Sequence, residues 1–354
     1  MAATAYGVND AATVKVWGRK LLRESIAATR FYNLIGEGSD SVIQKFNDLS
    51  KGPGDRVTNI LRVKGSGAGV SGDSTLEGNE ESLTTYTDNT LIDQLRHAFR
   101  SAGQMSEQRV PFSMREEHRL ALTDWFSERL DTAIANTLAG NTAQGDTKYT
   151  GSNATTAPTS NNRMFVYGTA DESLSATNTI TLTQIDNAVE KAKTNSPLIR
   201  PIKIGGEEWY TCYLHPYQVT NLRTATTTGQ WLDIQKAAMQ GGRVADNPIF
   251  TGALGVYNRT VLHEATRIPQ GVNSSTSAAI TTVRRALFLG AQSASICFGR
   301  NSASKESMRW VEKFFDYENQ LGVAAALIWG IKKNVYNSQD LGVITISSYA
   351  TAAT

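Results

Sequence analysis

The longest periodic pattern in the chain is a helical one over residues 113–139. Apolar residues recur there every four positions, which places them on one stripe of a helix. They are Leu122, Phe126, Leu130, Ile134 and Leu138. Ser113 and Glu116 have the spacing of a capping box, and Gly140 is suited to end the helix. The pattern therefore predicts a rod of about 40 Å, which we call the spine helix.

A second pattern, between residues 56 and 64, has the period of two that is typical of a half-buried β-strand. One face would carry Val57, Asn59, Leu61 and Val63, and the other Arg56, Thr58, Arg62 and Lys64. A glycine-rich stretch follows over residues 65–72, and strand-like composition returns after residue 83. The sequence therefore predicts a long hairpin whose tip lies at the glycines.

The rest of the chain shows shorter patterns. Residues 10–35 predict one amphipathic helix in an arm, and residues 141–162 are a polar, turn-rich loop. Helices and strands mix beyond that loop, and Thr183 and Asp186 have the spacing of a cap at the start of one helix. The apolar stripe of the arm helix would be formed by Val14, Trp17, Leu21, Leu22, Ser25 and Ala28.

The glycines raise the question of a cofactor site. Gly67, Gly69 and Gly72 have the G-x-G-x-x-G spacing of a dinucleotide-binding turn. Such a turn needs a strand before it and a helix directly after it, so that the helix N-terminus meets the pyrophosphate. The strand is present, but residues 73–79 have the composition of a turn. We therefore interpret the glycines as a mobile hairpin tip and expect no cofactor.

No other motif predicts chemistry. The four histidines are scattered without ligand spacing to one another or to cysteine. The sequence has neither a hydrolase nucleophile elbow nor a phosphate-binding loop with its lysine. Acidic pairs such as Glu80 and Glu81 are typical of solvated surface. We expect a protein that is not an enzyme, with no catalytic, cofactor-binding or metal-binding residues.

Composition and charge set limits on the partners. A chain of 354 residues is longer than one core usually serves, so we expect two subdomains or one extended domain. A net charge of +2 excludes a field built for nucleic acid or membrane. Only 19% of the residues are charged, which fits either surface buried between subunits or a neutral polar surface. Both alternatives stay open.

The cysteines and the apolar runs indicate the cellular compartment in which the protein is made. Cys212 and Cys297 lie far apart in apolar segments, which predicts reduced, buried thiols. The N-terminus has no signal-peptide pattern. The longest apolar run, which starts at Leu321, is about half of the ~20 residues that a membrane span needs. We expect a soluble protein made in a reducing cytoplasm.

Charge is segregated along the predicted hairpin. The basic residues lie on the outgoing strand and the acidic ones at the tip and return, namely Arg56, Arg62, Lys64, Asp73, Glu77, Glu80 and Glu81. A long hairpin is marginal on its own, and segregated charge favours docking on a neighbouring subunit. An ordinary solvated hairpin is the alternative that the sequence leaves open.

Several segments carry a resemblance to a known family. TAYGVNDAATVKVWGRKLLRES near the start and GDSTLEGNEESLTTYTDNTLIDQLRHAFRSAGQMSEQRVPFSMREE, residues 72–117, resemble the major capsid proteins of N-four-like tailed bacteriophages. YLHPYQVTNLR and NPIFTGALGVYNRTVLHE are similar to the second half of that family. The resemblance covers nearly the whole chain, although the loop 141–162 carries no family signal.

The resemblance implies an α+β fold of the Hong Kong 97-like capsid type, divided into five parts. They would be an N-arm (1–53), an extended hairpin called the E-loop (54–100), a peripheral domain with the spine helix 113–139 (101–180), an axial domain (181–320) and C-terminal strands returning to the peripheral domain (321–354). The lysine and asparagine that cross-link subunits in the founding member of this fold have no assignable counterparts here.

The function that the resemblance implies is structural. The chain would be the major capsid protein, which assembles as hexamers and pentamers into an icosahedral shell around the double-stranded DNA of a tailed phage. Assembly would take place in the bacterial host cytoplasm. Assembly would use a separate scaffold protein or none. A portal and decoration proteins would be further partners, with DNA held non-specifically and no membrane contact. The alternative is the shell of an encapsulin-type protein compartment of the same fold.

Overall fold

Two β-sheets organise the part of the chain that the computed structural model describes, residues 21–26, 28–46, 54–204, 206–224, 253–300 and 307–352. The strands are β1 Ile35–Gly36, β2 Ile43–Phe46, β3 Arg56–Arg62, β4 Thr85–Leu91, β5 Asp93–Arg100, β6 Arg163–Phe165, β7 Ile202–Ile204, β8 Glu207–Leu214, β9 Ala253–Tyr257, β10 Thr260–Glu264, β11 Gln270–Val272, β12 Ala279–Leu289, β13 Ala294–Phe298, β14 Met308–Phe315, β15 Gln320–Lys333, β16 Val335–Tyr336, β17 Gln339–Asp340 and β18 Val343–Tyr349. The α-helices within these residues are α1 Gln104–Arg109, α2 Met114–Ala139, α3 Leu182–Thr194 and α4 Pro216–Thr224, and residues 21–26 are helical as well. The helix α2 is the spine helix, and its bounds agree with the predicted ones to within one residue.

The first sheet is built around β15, a strand of 14 residues that contains the predicted apolar run. Its order is β1-β2-β13-β15-β14, and β5 also pairs with β15. Alternate residues of β15, such as Val323, Leu327 and Ile331, are buried in one core with the spine helix. The spine helix therefore covers one face of this sheet, as expected for a helix with a single apolar stripe.

The second sheet is buried on both faces. Its order is β6-β18-β12-β8-β10-β9, with β11 on β12 and β7 on β8. In β12, Leu287 and Leu289 face the core of the spine helix, whereas Ala286 and Phe288 face a second core with α3 and α4. Burial on both faces explains why this strand is a continuous apolar run rather than an alternating one.

The N-terminal segment packs on its own chain from residue 21 onward. Phe31 and Leu34 are buried in the core of the spine helix. Asp131 of that helix accepts a hydrogen bond from the backbone N–H of Arg30 at 2.9 Å. Of the predicted arm stripe, Leu21 and Ser25 are buried, Leu22 is half-buried, Ala28 is exposed, and Val14 and Trp17 lie outside the described residues.

Strand partners differ from the predicted division of the chain. The strand β5, predicted as part of a hairpin over residues 54–100, pairs with β15, so the hairpin ends at Leu91. The strand β18 was predicted to return to the peripheral domain together with β15, but it pairs with β6 and β12 in the second sheet. The strands β13 and β14 belong to the predicted axial domain, residues 181–320, but they lie in the first sheet. Strand pairing joins residues far apart in sequence, which a local pattern does not report. The domain boundaries themselves stay predictions.

The ends of the spine helix and of α3 have the backbone conformation of helix caps, but the side-chain caps predicted from the sequence are not formed. Ser113 has the extended backbone of an N-cap residue, but its side chain makes no capping hydrogen bond, so the predicted capping box is wrong. Glu116 instead accepts from an arginine one turn along the helix. Gly140 ends the spine helix as predicted, with a left-handed φ of 59°. Thr181, and not Thr183, precedes the first turn of α3.

A buried ion pair joins the spine helix to the second sheet. Arg285 of β12 and Asp171 are only 2% and 0% exposed, and Nη2 of the arginine lies 2.7 Å from a carboxylate oxygen. The same guanidinium donates to the backbone oxygen of Gly140 at 3.0 Å, where the helix leaves its last carbonyl groups without partners inside the helix. Burial acts to raise the pKa of Asp171, but the charge of Arg285 and hydrogen bonds to the carboxylate hold it below its ordinary value.

We predict that Asp171→Asn lowers the free energy of unfolding by about 3–5 kcal/mol at pH 7, because Arg285 is then buried without its counter-charge. The measurement is urea unfolding of the unassembled subunit. Asp124→Asn, at an exposed position of the spine helix, is the control and should change the free energy by less than about 0.5 kcal/mol. Equal stability of wild type and Asp171→Asn at pH 7 would contradict the prediction.

The same pair predicts the pH dependence. Because the folded-state pKa of Asp171 is lowered, the stabilisation by its ionised form is fully present above the unfolded value of about 4 and is lost as the pH falls through the folded value. The difference in stability between wild type and Asp171→Asn should therefore shrink below about pH 4.

Candidate assembly surface

The strands β3 and β4 form an antiparallel hairpin of seven residue pairs. Residues 63–84 form its tip, which contains neither strand nor helix. The predicted alternation of β3 is confirmed from Val57 to Leu61: Val57 is 8% exposed, whereas Ile60 on the opposite face is 70% exposed. Val63, predicted on the buried face, follows the strand and is 37% exposed. We call residues 56–59 and 88–92 the root of the hairpin, because they lie next to the core of their own chain.

Polar side chains hold the root on its own subunit. Asp88 is 7% exposed and accepts from the ammonium group of Lys332 and from the backbone N–H of Val335, the latter at 3.2 Å. On the partner strand, Asn59 donates to the hydroxyl of Ser295 at 2.9 Å. These contacts join the hairpin to β13, β15 and β16. The apolar face of β3 therefore finds part of its cover within the monomer.

Two residues that sequence reasoning missed fix the end of β4. Asn153, in the loop 141–162, accepts from the backbone N–H of Leu91 at 3.0 Å and donates to its carbonyl oxygen at 2.9 Å. Gly330 of β15 lies against the same residue, since a Cβ there would be 1.9 Å from the oxygen of Leu91. The backbone of β4 thus crosses β15 where only a glycine fits. Neither residue has a local sequence signal, because each acts on a strand far away in the chain.

Glu81 closes the tip across the glycines. Its carboxylate accepts from the backbone N–H groups of Ser66 and Gly67, each at 2.8 Å, and these bonds lower the pKa of Glu81. A Cβ at Gly65 or Gly67 would lie 2.9 or 3.0 Å from the same carboxylate, so the glycines make room for it. We call this contact the tip clip. No helix follows the glycines before Gln104, which agrees with rejecting a dinucleotide turn.

The candidate hairpin charges all lie at the surface. The exposed residues are Arg56, Arg62, Lys64, Asp73, Glu77, Glu80 and Glu81. Glu81 is engaged in the tip clip, and Glu80 accepts from the backbone N–H of Gly78 at 2.7 Å. Leu76, between Asp73 and Glu77, is 61% exposed, and Leu83, which follows Glu81, is 68% exposed. Docking of this surface on a neighbouring subunit stays a prediction.

The five predicted core residues of the spine helix lie together against the first sheet, from which the hairpin projects. Leu122, Phe126, Leu130, Ile134 and Leu138 each expose 2% or less of their surface. They share a core with β15. Beside them, Trp125 stacks on His97 of β5 with ring centroids 4.3 Å apart. The spine helix thereby supports the strands from which the hairpin projects.

Three further features of the described residues concern metal ions, membranes and thiols. No cluster of three or more His, Cys, Asp or Glu side chains in these parts of the chain is arranged to hold a metal ion. None of the helices in the same parts has the length and apolar character needed to cross a bilayer. Both cysteines are buried thiols, and burial raises the pKa of Cys212 to about 12.

Comparison with known proteins identifies the family. A profile of the phage capsid protein family matches residues 5–352. The chain belongs to the phage capsid protein family. It is similar to a major capsid protein of Pseudomonas phage KPP25, with 28% identity over 365 residues that cover 94% of this chain and 93% of that protein.

Two solved phage capsid structures have the same fold. The capsid of Ralstonia phage GP4 is 30% identical with a TM-score of 0.79, and the match covers 92% of each chain. The capsid of cyanophage Pam1 is 20% identical with a TM-score of 0.72, covering 93% of this chain and 94% of that one. The Hong Kong 97-like α+β capsid fold expected from the sequence is confirmed.

Membership of the phage capsid protein family defines the role of the chain. It is a major capsid protein, a structural subunit of the head of a tailed phage. The resemblance read from residues 72–117 is thereby confirmed at the level of phage capsid proteins. The family match favours a phage head over the encapsulin-type compartment that the sequence kept as its alternative.

We predict that Gly330→Ala displaces the hairpin root, because the added methyl group would meet the oxygen of Leu91. Forcing this contact should destabilise the subunit by about 1–3 kcal/mol and lower the yield of shells. Gly145→Ala is the matched control, since nothing lies within 4 Å of a Cβ at that position. Urea unfolding and sedimentation of expressed shells measure the two effects. Wild-type stability and yield for Gly330→Ala would show that the crossing at Leu91 is not tight.

Proposed function

We propose that copies of this chain assemble, through their hairpin tips, into the hexamers and pentamers of an icosahedral head shell. The exposed tip supports this proposal most directly, because Leu76 and Leu83 face solvent on a segment outside the core. Covering such side chains stabilises an assembly by about 25 cal/mol per Å² of apolar surface removed from water. A neighbouring subunit supplies a cover that the tip's own subunit does not.

The tip clip prepares the hairpin for this contact. An isolated hairpin is marginal in water, and ordering a loose loop on binding would oppose association. The hydrogen bonds from Ser66 and Gly67 to Glu81 restrain the loop before a neighbour arrives. The exposed charges of the hairpin, Arg56, Arg62, Lys64, Asp73, Glu77 and Glu80, would then set the position at which the tip docks.

The shell would enclose double-stranded DNA without tight contacts to it. The net charge of +2 supplies little of the phosphate neutralisation on which DNA affinity depends. A portal, a separate scaffold protein and decoration proteins would be further partners in the virion. Assembly would proceed in the cytoplasm of the bacterial host, and no step of it requires a catalytic residue.

Electron microscopy of particles tests the proposed function. Expression of the chain, with its scaffold partner where one is needed, should give closed icosahedral shells with five-fold and six-fold rings. Particles from infected cells should protect double-stranded DNA from nuclease. Particles filled with protein cargo and free of protected DNA would favour the compartment alternative, and a chain that forms no shells under either condition would contradict both.

Hydrogen exchange should distinguish the tip of the hairpin from its root. We predict that residues 68–77, which lie outside the tip clip, exchange fast in the free subunit and are protected in the shell, because their cover comes from a neighbour. The root should be protected in both states, because Asp88, Asn59 and Asn153 bind it to its own subunit. Equal protection of the tip in subunit and shell would contradict docking on a neighbour.

A further inference from the structure

The turn from β8 into α4 is a sequence motif that the proposed assembly leaves unexplained. It begins with His215, which is only 8% exposed, and a proline suited to the first turn of the helix. The rings of His215 and Tyr217 lie edge to face, with centroids 4.4 Å apart. Arg284 of β12 lies beside them, its guanidinium carbon 5.6 Å from the centre of the Tyr217 ring. We call His215, Tyr217 and Arg284 the turn cluster.

Gln218 fixes the backbone on both sides of the turn cluster. This glutamine is fully buried, and its side-chain oxygen accepts from the backbone N–H of His215 at 3.0 Å. Its side-chain nitrogen donates to the backbone oxygen of Arg284 at 3.2 Å and to the hydroxyl of Ser348 at 2.7 Å. One amide therefore joins the end of β8 to β12 and β18. The turn cluster is held in place before any ligand binds, which favours binding.

Arg284 is a cation without a counter-charge. Its Nε is buried and has no acceptor, and in the described parts of the chain the guanidinium forms no ion pair. This holds although Glu264 ends the neighbouring strand β10. The adjacent Arg285, on the other face of the sheet, is neutralised by Asp171. A buried donor without an acceptor costs stability, so an oxyanion beside Arg284 would be stabilising.

A backbone hydrogen bond decides which ring nitrogen of His215 carries a proton. Nδ1 accepts from the backbone N–H of Tyr217 at 3.2 Å, so the proton of the neutral ring lies on Nε2. Burial, together with the charge of Arg284, lowers the pKa of His215 to about 4, so the ring is neutral at pH 7. Within the described residues, Nε2 has no hydrogen-bond partner. The turn cluster therefore offers a neutral N–H and a guanidinium, with one positive charge in total.

These donors fit a carboxylate. A guanidinium can donate two parallel N–H bonds to the two oxygens of a carboxylate, and a further N–H can stabilise one of them. One positive charge matches the single negative charge of a carboxylate better than the nearly double charge of a phosphate group at pH 7. The turn cluster also lies at the N-terminal end of α4, whose first turn contains no acidic residue. The helix dipole therefore favours an anion from another molecule there.

We propose that Arg284, His215 and Tyr217 form a binding site for one carboxylate group of a second molecule. Arg284 binds the two oxygens, and Nε2 of His215 donates to one of them. Tyr217 packs beside the guanidinium and limits its orientation. The carboxylate belongs to a free small molecule or to an acidic side chain of a second copy of this chain, since both present the same group. The site lies in the second sheet and does not depend on the proposed assembly through hairpin tips.

Phenylglyoxal footprinting of the unassembled full chain tests the site. The reagent modifies free guanidinium groups, and mass spectrometry of the peptides gives a rate for each arginine. About 100 mM sodium acetate should slow the modification of Arg284 about tenfold relative to sodium chloride of equal ionic strength, as expected for a dissociation constant of about 10 mM. Arg259, exposed in the turn after β9, is the internal control and should react at the same rate in both salts.

Three results of this measurement would overturn the proposal. One is an equal rate for Arg284 in acetate and in chloride. Another is an Arg284 that does not react in chloride, because it would then be paired within its own subunit. The third is stronger protection by sodium phosphate than by acetate, which would contradict a site built for a carboxylate. None of them bears on the proposed function, because no shell is involved.

His215→Asn tests the ring N–H separately from the fold. The asparagine oxygen can still accept from the backbone N–H of Tyr217, but no donor replaces Nε2. The affinity for acetate should fall about tenfold, the cost of one charge-assisted hydrogen bond. His118→Asn, at a half-buried histidine of the spine helix, is the matched control and should leave it unchanged. Wild-type affinity in a His215→Asn subunit that is folded by circular dichroism would overturn the assignment of His215. The wild-type footprint decides the proposal should either variant fail to fold.

The same reaction on assembled shells identifies the source of the carboxylate. Suppose that acetate protects Arg284 in the free subunit. Protection of Arg284 in shells without acetate then shows that an acidic side chain of a neighbouring copy occupies the site. Reaction in shells without acetate and protection with it shows that the site takes a free carboxylate. Reaction at one rate in subunits and shells, with and without acetate, would overturn the proposal.

Discussion

The fold depends on how the buried C-terminal end of the spine helix is satisfied. A helix leaves its last carbonyl groups without partners, and in a buried place water cannot supply them. Arg285 provides the donors from the middle of the second sheet, and Asp171 neutralises the charge that this brings into the core. One guanidinium therefore holds the helix, the sheet and the segment around Asp171 in a fixed relation. The first sheet, and the hairpin that projects from it, rest on that helix.

Local periodicity was enough to predict the parts of the molecule that are stabilised by their own neighbours in sequence. The spine helix and the alternation of β3 follow from spacing, since Leu130 and Val57 are buried by patterns of four and two. The partners of β5 and β18 could not be predicted in this way. Their pairing is decided by strands more than fifty positions away, and the sequence supplies no signal for that choice.

The charged residues of the candidate surface could be predicted from the sequence, but the residues that hold the hairpin in place could not. The segregated residues from Arg56 to Glu81 stand out in the sequence because like charges cluster. Asn153 and Gly330 do not, because an asparagine in a polar loop and a glycine in an apolar strand look ordinary until the backbone of Leu91 is seen to cross them. The glycines of the tip were interpreted from the sequence as part of a hairpin, but the carboxylate for which they make room was not predicted. They resemble a cofactor turn, whereas two of them make space for the carboxylate of Glu81.

The root of the hairpin is bound to the core of its own subunit, whereas the tip is not. A small rotation at the root therefore displaces the tip by a larger distance. Seven extended residue pairs give an arm of about 23 Å, so turning the root by about 10° moves the far end by about 4 Å. The proposed shell of hexamers and pentamers would need its subunits to meet at more than one angle, flatter in six-membered rings and steeper in five-membered ones. A small rotation about the contacts of Asp88 and Asn153 would therefore change where the tip lies without a change in the core of the subunit.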